Sequence, residues 1–413
     1  MGSNLATYDK KLANLLEKEQ QRQQDYITLI PSENYTHPAI SHVLGSVATN
    51  KYSEGYPNRR YYNGNEFIDE IELLAIERTK EVFQGKFANV QPYSGSPANL
   101  AVYFALLKPG DKVMGLKLSH GGHLTHGAPV SFSGKWFQQV PIEAGEKDEI
   151  DYDRVRDQIL KEKPKLILAG VTAYPLELRY DFLAKYAKEV GATLVADVSH
   201  TNGLVVAGVH KHPFEQGADI ITSTTHKLLR GPRGAVIVSN DLKLAKKIDK
   251  AIMPGLQGGP HNHKTAALAL AMKFALEKEY KDYVEQVFAN SQKLASELIK
   301  HGFELVAGRT ENHLSVVNLL EQDLLGTEAA NMLEEAGIVV NANTIPNDPN
   351  PPLKPSGIRV GTPAITTRGM KEKEVVQIAD WIRRVLLEKE DPSQIRKEVF
   401  TLTKNNPVPE AQW

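Results

Sequence analysis

The sequence predicts an α/β protein: a large domain with a mostly parallel central sheet, followed by a smaller α+β domain. Two observations carry this. Between about residue 86 and residue 240, short runs rich in Val, Ile and Leu alternate with amphipathic stretches, and a strand covered on both faces of a parallel sheet reads as such a run. After a long helical stretch the alternation resumes on a smaller scale to about residue 388, as a second, smaller layered unit requires.

In chain order, Met1 to Gln24 is polar and helical in pattern, with Leu12, Leu15 and Leu16 on one side. Strands are expected at Ala88–Gln91, Lys112–Leu116, Lys165–Ala169, Thr193–Ala196, Ile220–Ser223 and Ala235–Ser239. Helices fall between them at Pro97–Leu107, Tyr152–Glu162 and Phe182–Val190. From His263 to about Lys300 the apolar spacing predicts one long linker helix, closed by His301-Gly302 as a helix C-terminus is. Strands at Leu314–Leu319, Ile338–Asn341 and Ile358–Val360 then alternate with helices at Thr327–Glu335 and Lys371–Glu388. The Pro/Asn-rich stretch Ile345–Pro355 reads as a long loop, a kind of segment that often carries function on a rigid scaffold. The expected division is an N-terminal arm over 1–60, a large domain over 61–275 and a small domain over 276–413.

Composition narrows the function classes. The 413 residues exceed one ordinary domain, and 41% hydrophobic with 24% charged residues is globular composition. Lys plus Arg number 49 against 50 Asp plus Glu, so no global basic field argues for nucleic acid or a membrane surface as partner. The absence of cysteine excludes disulfides, thiolate metal sites and a cysteine nucleophile. No metal site is expected. Neither a secretory apolar run nor ~18 consecutive apolar residues occurs, and the expectation is a cytoplasmic protein. Met1-Gly2-Ser3 resembles a myristoylation start, but Ala6 stands where that motif needs Ser or Thr.

The densest chemical cluster is Thr222-Ser223-Thr224-Thr225-His226-Lys227, directly after a strand. A lysine there, among hydroxyls and a histidine, suits an amine that forms an imine with a carbonyl cofactor; a solvated surface lysine is the alternative. Thirty residues earlier, Asp197 ends a buried-strand pattern, the position from which a carboxylate can pair with a pyridinium nitrogen; a helix N-cap is the alternative. Ser94-Gly95-Ser96 sits between a strand and a helix, where backbone N–H groups hold phosphate, although the same residues serve as a routine cap. Phosphate cup, pyridinium acid and imine lysine in one α/β domain together point to pyridoxal 5'-phosphate.

Over nearly its whole length the chain resembles the serine hydroxymethyltransferases. The matching runs include Leu29-Ile30-Pro31-Ser32-Glu33-Asn34, Tyr52-Ser53-Glu54-Gly55-Tyr56-Pro57, Arg60-Tyr61-Tyr62, Gly121-Gly122-His123-Leu124-Thr125-His126-Gly127, Gln257-Gly258-Gly259-Pro260 and Ser356-Gly357-Ile358-Arg359-Val360-Gly361. The resemblance implies a fold-type-I pyridoxal-phosphate transferase that passes the hydroxymethyl group of serine to tetrahydrofolate as co-substrate. It implies Lys227 as imine lysine, with Thr224 in the same catalytic segment, Asp197 as pyridinium partner and His123 stacked on the cofactor ring. Ser94, Gly95, Ser96 and His226 become phosphate contacts, and Thr172 and His200 partners of the phenolic oxygen.

By the same resemblance Arg359, assisted by Ser32, receives the substrate carboxylate, for which a guanidinium fork is matched. Glu54 meets the serine hydroxyl, with Tyr52, Tyr61 and Tyr62 lining that pocket. Leu118, Gly122, Leu124 and Asn343 hold the pterin. Tyr52, Glu54, Gly258 and Gly259 reach into a neighbouring subunit's site, so the expected unit is a homodimer with shared sites, a tetramer being left open. The chain departs from the family's usual pattern at Thr172, where serine is common, at Ser199, where a small apolar residue is, and at Leu176-Glu177, where many relatives carry arginine. The rivals left standing are the same cofactor machinery acting on another β-hydroxy amino acid, and a non-catalytic binding protein that retained the fold.

Overall fold

Seven strands form the central sheet of the computed structural model, which describes residues 5–409. They are β1 (Phe87–Asn89), β2 (Lys112–Leu116), β3 (Gln138–Ile142), β4 (Leu166–Gly170), β5 (Thr193–Asp197), β6 (Ile220–Thr224) and β7 (Ala235–Ser239), in the spatial order β1-β7-β6-β5-β4-β2-β3. Neighbours from β6 across to β3 run parallel, while β7 is antiparallel to both β6 and β1. Every residue of β4, β6 and β7 is buried, because helices cover both faces of the sheet. One face packs through Met114, Ile167, Leu194, Ile221 and Val236, and the other through Val113, Leu168, Val195, Ile220 and Ile237.

Strand β3 is absent from the expectation drawn from sequence. Its residues, Gln-Gln-Val-Pro-Ile, lack the apolar run of a central strand. Pairing with β2 alone makes it an edge, and an edge is where a sheet tolerates a proline such as Pro141. The expected linker helix is likewise two helices, Asn262–Ala275 and Lys278–Lys300. The chain breaks at Glu277, whose backbone is extended (φ −82°, ψ 152°). The expected strand Ile338–Asn341 also divides. Ile338–Val339 pairs in parallel with Ile27–Thr28, and Asn341–Asn343 pairs with Gly357–Gly361.

The second sheet comprises β8 (Glu304–Leu305), β9 (Leu314–Asn318), β10 (Asn341–Asn343) and β11 (Gly357–Gly361), in the order β8-β9-β11-β10. Its core is built around Trp381, Leu333, Ile358 and Ile382 and takes in Ile27 and Leu29 from the N-terminal segment. The helix Lys278–Lys300 joins the two cores, giving Val284 and Val287 to the first and Leu294 and Leu298 to the second. Residues 1–4 and 410–413, the ends of the expected arm and small domain, lie outside the described residues.

Arg368 fastens the N-terminal helix Lys10–Asp25 and the C-terminal helix Pro392–Asn405 to the small domain. Its buried guanidinium donates to the carbonyls of Gln23, Gln24, Tyr26, Thr403 and Asn406 at 2.6 to 3.3 Å. Arg368→Met keeps an unbranched stem and removes every side-chain donor. Hydrogen bonds to a charged group contribute ~1.5–3 kcal/mol each, so amide exchange in residues 10–25 and 392–405 should rise by about tenfold or more while the central sheet stays protected; unchanged exchange in both helices would contradict the clasp.

Candidate active site

The carboxyl ends of β4, β5 and β6 lie side by side, with Gly170 opposite Asp197 and Asp197 opposite Thr222. The crevice beyond the carboxyl ends of parallel strands is where open α/β sheets take ligands. Here it is a cavity of about 400 Å³, lined among others by Ser32, Ser94, Gly95, Ser96, His123, Thr172, Asp197, His200, Thr224, His226, Lys227 and Arg359. All of these were expected at the site from sequence. A larger groove of about 620 Å³ along β1 shares none of them. Its lysines lie at the surface, and its Asp249 is bonded by Asn89, so size does not make it the reactive site.

Asp197 closes β5 and is 7% exposed. One oxygen accepts from Asn99 Nδ2 at 2.8 Å and lies 3.2 Å from His126 Nε2; the other accepts from the Ser199 amide at 3.0 Å. Burial alone pushes the carboxyl up, but the hydrogen bonds from His126 and Ser199 and the imidazoles of His126 and His123 outweigh it. The group is held well below the usual carboxylate range. It caps no helix, since the following helix, Asn202–Val206, has Thr201 at its N-cap.

Lys227 follows β6 and is 9% exposed, which rules out a solvated surface lysine. Desolvation lowers its amine to about 8 against the opposing pull of Asp197, with Arg359 and Arg233 adding to the fall. Thr224 is tied down beside it: its amide donates to Ser199 Oγ at 3.0 Å and its hydroxyl to the Ser199 carbonyl at 3.1 Å. The departure at Ser199 thus links β5 to β6 while its side chain also lines the cavity.

The helix Gly95–Leu106 opens its N-terminus into the cavity, with Ser94 at the N-cap and no side-chain bond closing it. A Cβ on Gly95 would stand 2.7 Å from Thr224 Cγ2, so only glycine lets this helix come so close to β6. His226 Nδ1 is buried without a hydrogen-bond partner, and burial beside Arg233 lowers the ring to about 3. Free helix N–H groups and an imidazole with an unpartnered nitrogen, lining one cavity, fit an anion such as phosphate.

Arg359 sits in the middle of β11, 7% exposed rather than at the surface. Nε donates to Asn341 Oδ1 at 3.0 Å and Nη1 to the Thr172 carbonyl at 2.6 Å. Among the described residues it forms no ion pair, and burial lowers it to about 10. A buried cation without an acid is costly, and a carboxylate arriving with the substrate relieves that cost. His200 is 2% exposed and lies 3.5 Å from His313 Nε2, with the two rings stacked; burial holds His200 well below its ordinary value. Burial lowers His123 to about 4, and Thr125 meets its Nδ1 at 2.8 Å.

The remaining expected residues lie outside this cavity's lining. Tyr52, Glu54, Tyr62, Gly258 and Gly259 form a second cluster: Tyr52 donates to Glu54 Oε1 at 3.0 Å, its ring meets Tyr62 edge-on at 5.1 Å, and Gly258 and Gly259 pass closely under Glu54 and Tyr52. Tyr52 and Tyr62 are about half exposed. Leu118 and Leu124, on either side of His123 in sequence, are each a little under half exposed. Gly122 has no room for a Cβ, which would stand 1.8 Å from the Leu116 carbonyl oxygen. Asn343 lies two residues from Asn341 on β10, so both point to the same face.

Four contributors were not assigned roles from sequence: Asn99, His126, His313 and Asn341. Asn99 had a signal, being a polar residue inside the apolar helix Gly-Ser-Pro-Ala-Asn-Leu-Ala-Val, and His126 stood in the quoted glycine/histidine run. His313 and Asn341 had none, since only the tertiary structure brings them against His200 and Arg359.

An acid at the end of β5, a buried lysine after β6, a phosphate-fitting helix N-terminus and a second domain supplying an arginine define a fold-type-I pyridoxal-phosphate enzyme. The comparisons with known proteins narrow this class. The family model described as serine hydroxymethyltransferase matches residues 5–382. A serine hydroxymethyltransferase of Acidothermus cellulolyticus is 52% identical over 415 residues, covering 98% of this chain and 97% of its own. One from Campylobacter hominis is 52% identical over 384 residues (93% and 92%), and one from Desulfotalea psychrophila 48% over 408 (98% and 96%). The chain belongs to the serine hydroxymethyltransferase family.

In the cofactor-free protein, acylation of Lys227 by an amine reagent should be half-maximal near pH 8, not near the ~10.4 of an ordinary lysine. Peptide mapping across a pH series checks this, and a midpoint above 10 would contradict the desolvated amine.

Proposed function

We propose a division of labour among the residues of this chain for its family's reaction, the reversible transfer of the hydroxymethyl group of L-serine to tetrahydrofolate, giving glycine and 5,10-methylenetetrahydrofolate. The observation that carries it is the cavity itself, which gathers Lys227, Asp197, the helix N-terminus at Gly95 and an unpaired buried Arg359. Bound pyridoxal phosphate supplies an electron sink for the charge that develops at the amino acid's α-carbon.

Lys227 would hold that cofactor covalently, Ser94, Gly95, Ser96 and His226 its phosphate, His123 its ring face, and Thr172 and His200 its phenolic oxygen. Asp197, kept anionic by its donors, would hold the proton on the ring nitrogen. Arg359 with Ser32 grips the carboxylate of serine and so fixes which bond at the α-carbon faces the ring. Lys227, with its amine near 8, exchanges protons at working pH; Thr224 steadies that segment. Glu54, bonded to Tyr52 and near Tyr62, manages the proton of the serine hydroxyl. Leu118 and Leu124 give the pterin apolar contact, Gly122 room to approach, and Asn343 a polar edge.

Tyr52, Glu54, Gly258 and Gly259 stand outside the cavity formed by their own chain, which supports a homodimer in which each subunit completes its partner's site. Among the described residues no helix is long and apolar enough to cross a membrane; a cytoplasmic location is part of this reading.

Replacing Arg359 by Lys keeps a cation but loses the fork. Glycine affinity should weaken by about 2–5 kcal/mol, the range for one partner of a buried charge pair, with the cofactor still bound; an unchanged dissociation constant by calorimetry would refute the assignment.

Mixing tests activity and assembly together. Lys227→Ala and Glu54→Gln chains, each defective alone, should recover folate-dependent serine cleavage when co-refolded, since a mixed dimer has one site with both residues intact. Random two-fold pairing makes about half the dimers mixed, so recovery should approach about a quarter of wild type. Complete mixing by mass spectrometry without recovered activity defeats shared sites.

A further inference from the structure

Arg60 is the first residue of the Arg60-Tyr61-Tyr62 run, and it touches nothing in the cavity. Its side chain is nonetheless 3% exposed and makes four hydrogen bonds. Nε meets Asp69 at 2.8 Å and Nη2 meets Glu72 at 2.6 Å, both on the helix Glu66–Val82. Nη1 donates to the carbonyls of Ser53 and Gly55 at 2.9 Å each. Those two carbonyls flank Glu54, whose own carbonyl accepts from the Tyr61 amide at 3.0 Å. The backbone on either side of the Glu54 side chain is therefore held by one guanidinium nitrogen, while the other two hold it to the helix Glu66–Val82.

The grip extends to the rest of the molecule. Glu72, 2% exposed, also accepts from Gln91 Nε2 at 2.7 Å, and the same Gln91 nitrogen donates to the Gly55 carbonyl at 2.9 Å. Gln91 lies two residues before Tyr93 and the Ser94-Gly95 helix start, and its carbonyl accepts from Gln257, next to Gly258-Gly259. Ser53 and Lys51 are bonded in turn by Asn262. Gly55 takes φ +98°, with a would-be Cβ 2.3 Å from the Arg59 carbonyl oxygen, so the turn admits only glycine. A buried ion pair of this kind is weak as a source of stability, since apolar residues of similar volume commonly serve as well. What an apolar replacement cannot do is hold two carbonyls at a set separation.

We propose that Arg60, backed by Glu72, is a positioning residue that sets the Glu54 carboxylate by clamping the Ser53 and Gly55 carbonyls, and so ties the residues presented to one site to the phosphate cup of the other. This rests on the reading of Glu54 as the proton-handling carboxylate. Arg60→Lys keeps the charge, but one ammonium cannot meet both carbonyls and both carboxylates at once, so the clamp between the turn and the helix Glu66–Val82 is lost. Its kcat for folate-dependent serine cleavage should fall on the order of 100-fold, the size of effect an ångström of misplacement produces, while KM for serine and glycine affinity, both set by Arg359, stay at wild type. In a Glu54→Gln background the same substitution should remove nothing further, because groups acting as a unit are not additive. In the cofactor-free protein, amide exchange over residues 52–62 should rise. If Arg60→Lys does not fold, Glu72→Gln, which loosens the same grip, should show the same pattern with a smaller loss. Wild-type turnover by Arg60→Lys, additive losses in the double variant, or unchanged exchange over 52–62 overturns the proposal; full activity of Glu54→Gln alone overturns the reading of Glu54 and takes the proposal with it.

Discussion

A carboxylate with 7% exposure stays ionised at the end of β5 because three donors converge on it, and much of the site is arranged around keeping those donors in place. Asn99 reaches Asp197 from the helix that opens the phosphate cup, and its own oxygen is fixed by the Thr222 hydroxyl from β6. Asn99 also donates to Thr125, which in turn meets His123. One polar network therefore links the acid, the helix N-terminus and the ring-facing histidine. In a low-dielectric interior such a network is stable only when all its members are satisfied, which couples the positions of three chain segments to a single charge.

Charge is distributed to the opposite effect elsewhere in the cavity. Lys227 and Arg359 are both buried, and burial depresses both. His226 has a ring nitrogen with no partner. The protein alone thus leaves cationic and donor groups under-satisfied at the very places where a phosphate and an amino-acid carboxylate would fit. The cost of burying them is offset when anions arrive, so binding and electrostatic relief are the same event.

The second sheet contributes by position more than by number of residues. Arg359 and Asn341 face each other across β10 and β11, and the Arg359 fork is completed by the Thr172 carbonyl of the large domain. Helix Lys278–Lys300 runs from one core into the other, and Arg368 fastens both ends of the described chain to the second unit. The arginine that meets the substrate is thereby held against a scaffold it does not belong to.

Read alone, the sequence was sufficient for the alternation that makes the central sheet and for the boundaries of helices such as Tyr152–Glu162. Ser94, Asp197 and Lys227 were legible because each lies at or just past a strand end or at a helix start, where local pattern and chemistry coincide, whereas Ser32 and Arg359 were reached only through motif runs shared with the family. Local pattern failed where the deciding contact is distant in sequence. β3 is too polar to read as a strand until β2 supplies its partner, and the helix after His263 breaks although its apolar spacing continues. Val340 separates two strands whose partners, Ile27–Thr28 and Gly357–Gly361, lie in different parts of the chain. His313 and Asn341 have no local mark that distinguishes them from ordinary polar residues. Only the tertiary structure brings His200 and Arg359 against them, because a hydrogen bond is decided by where its partner ends up.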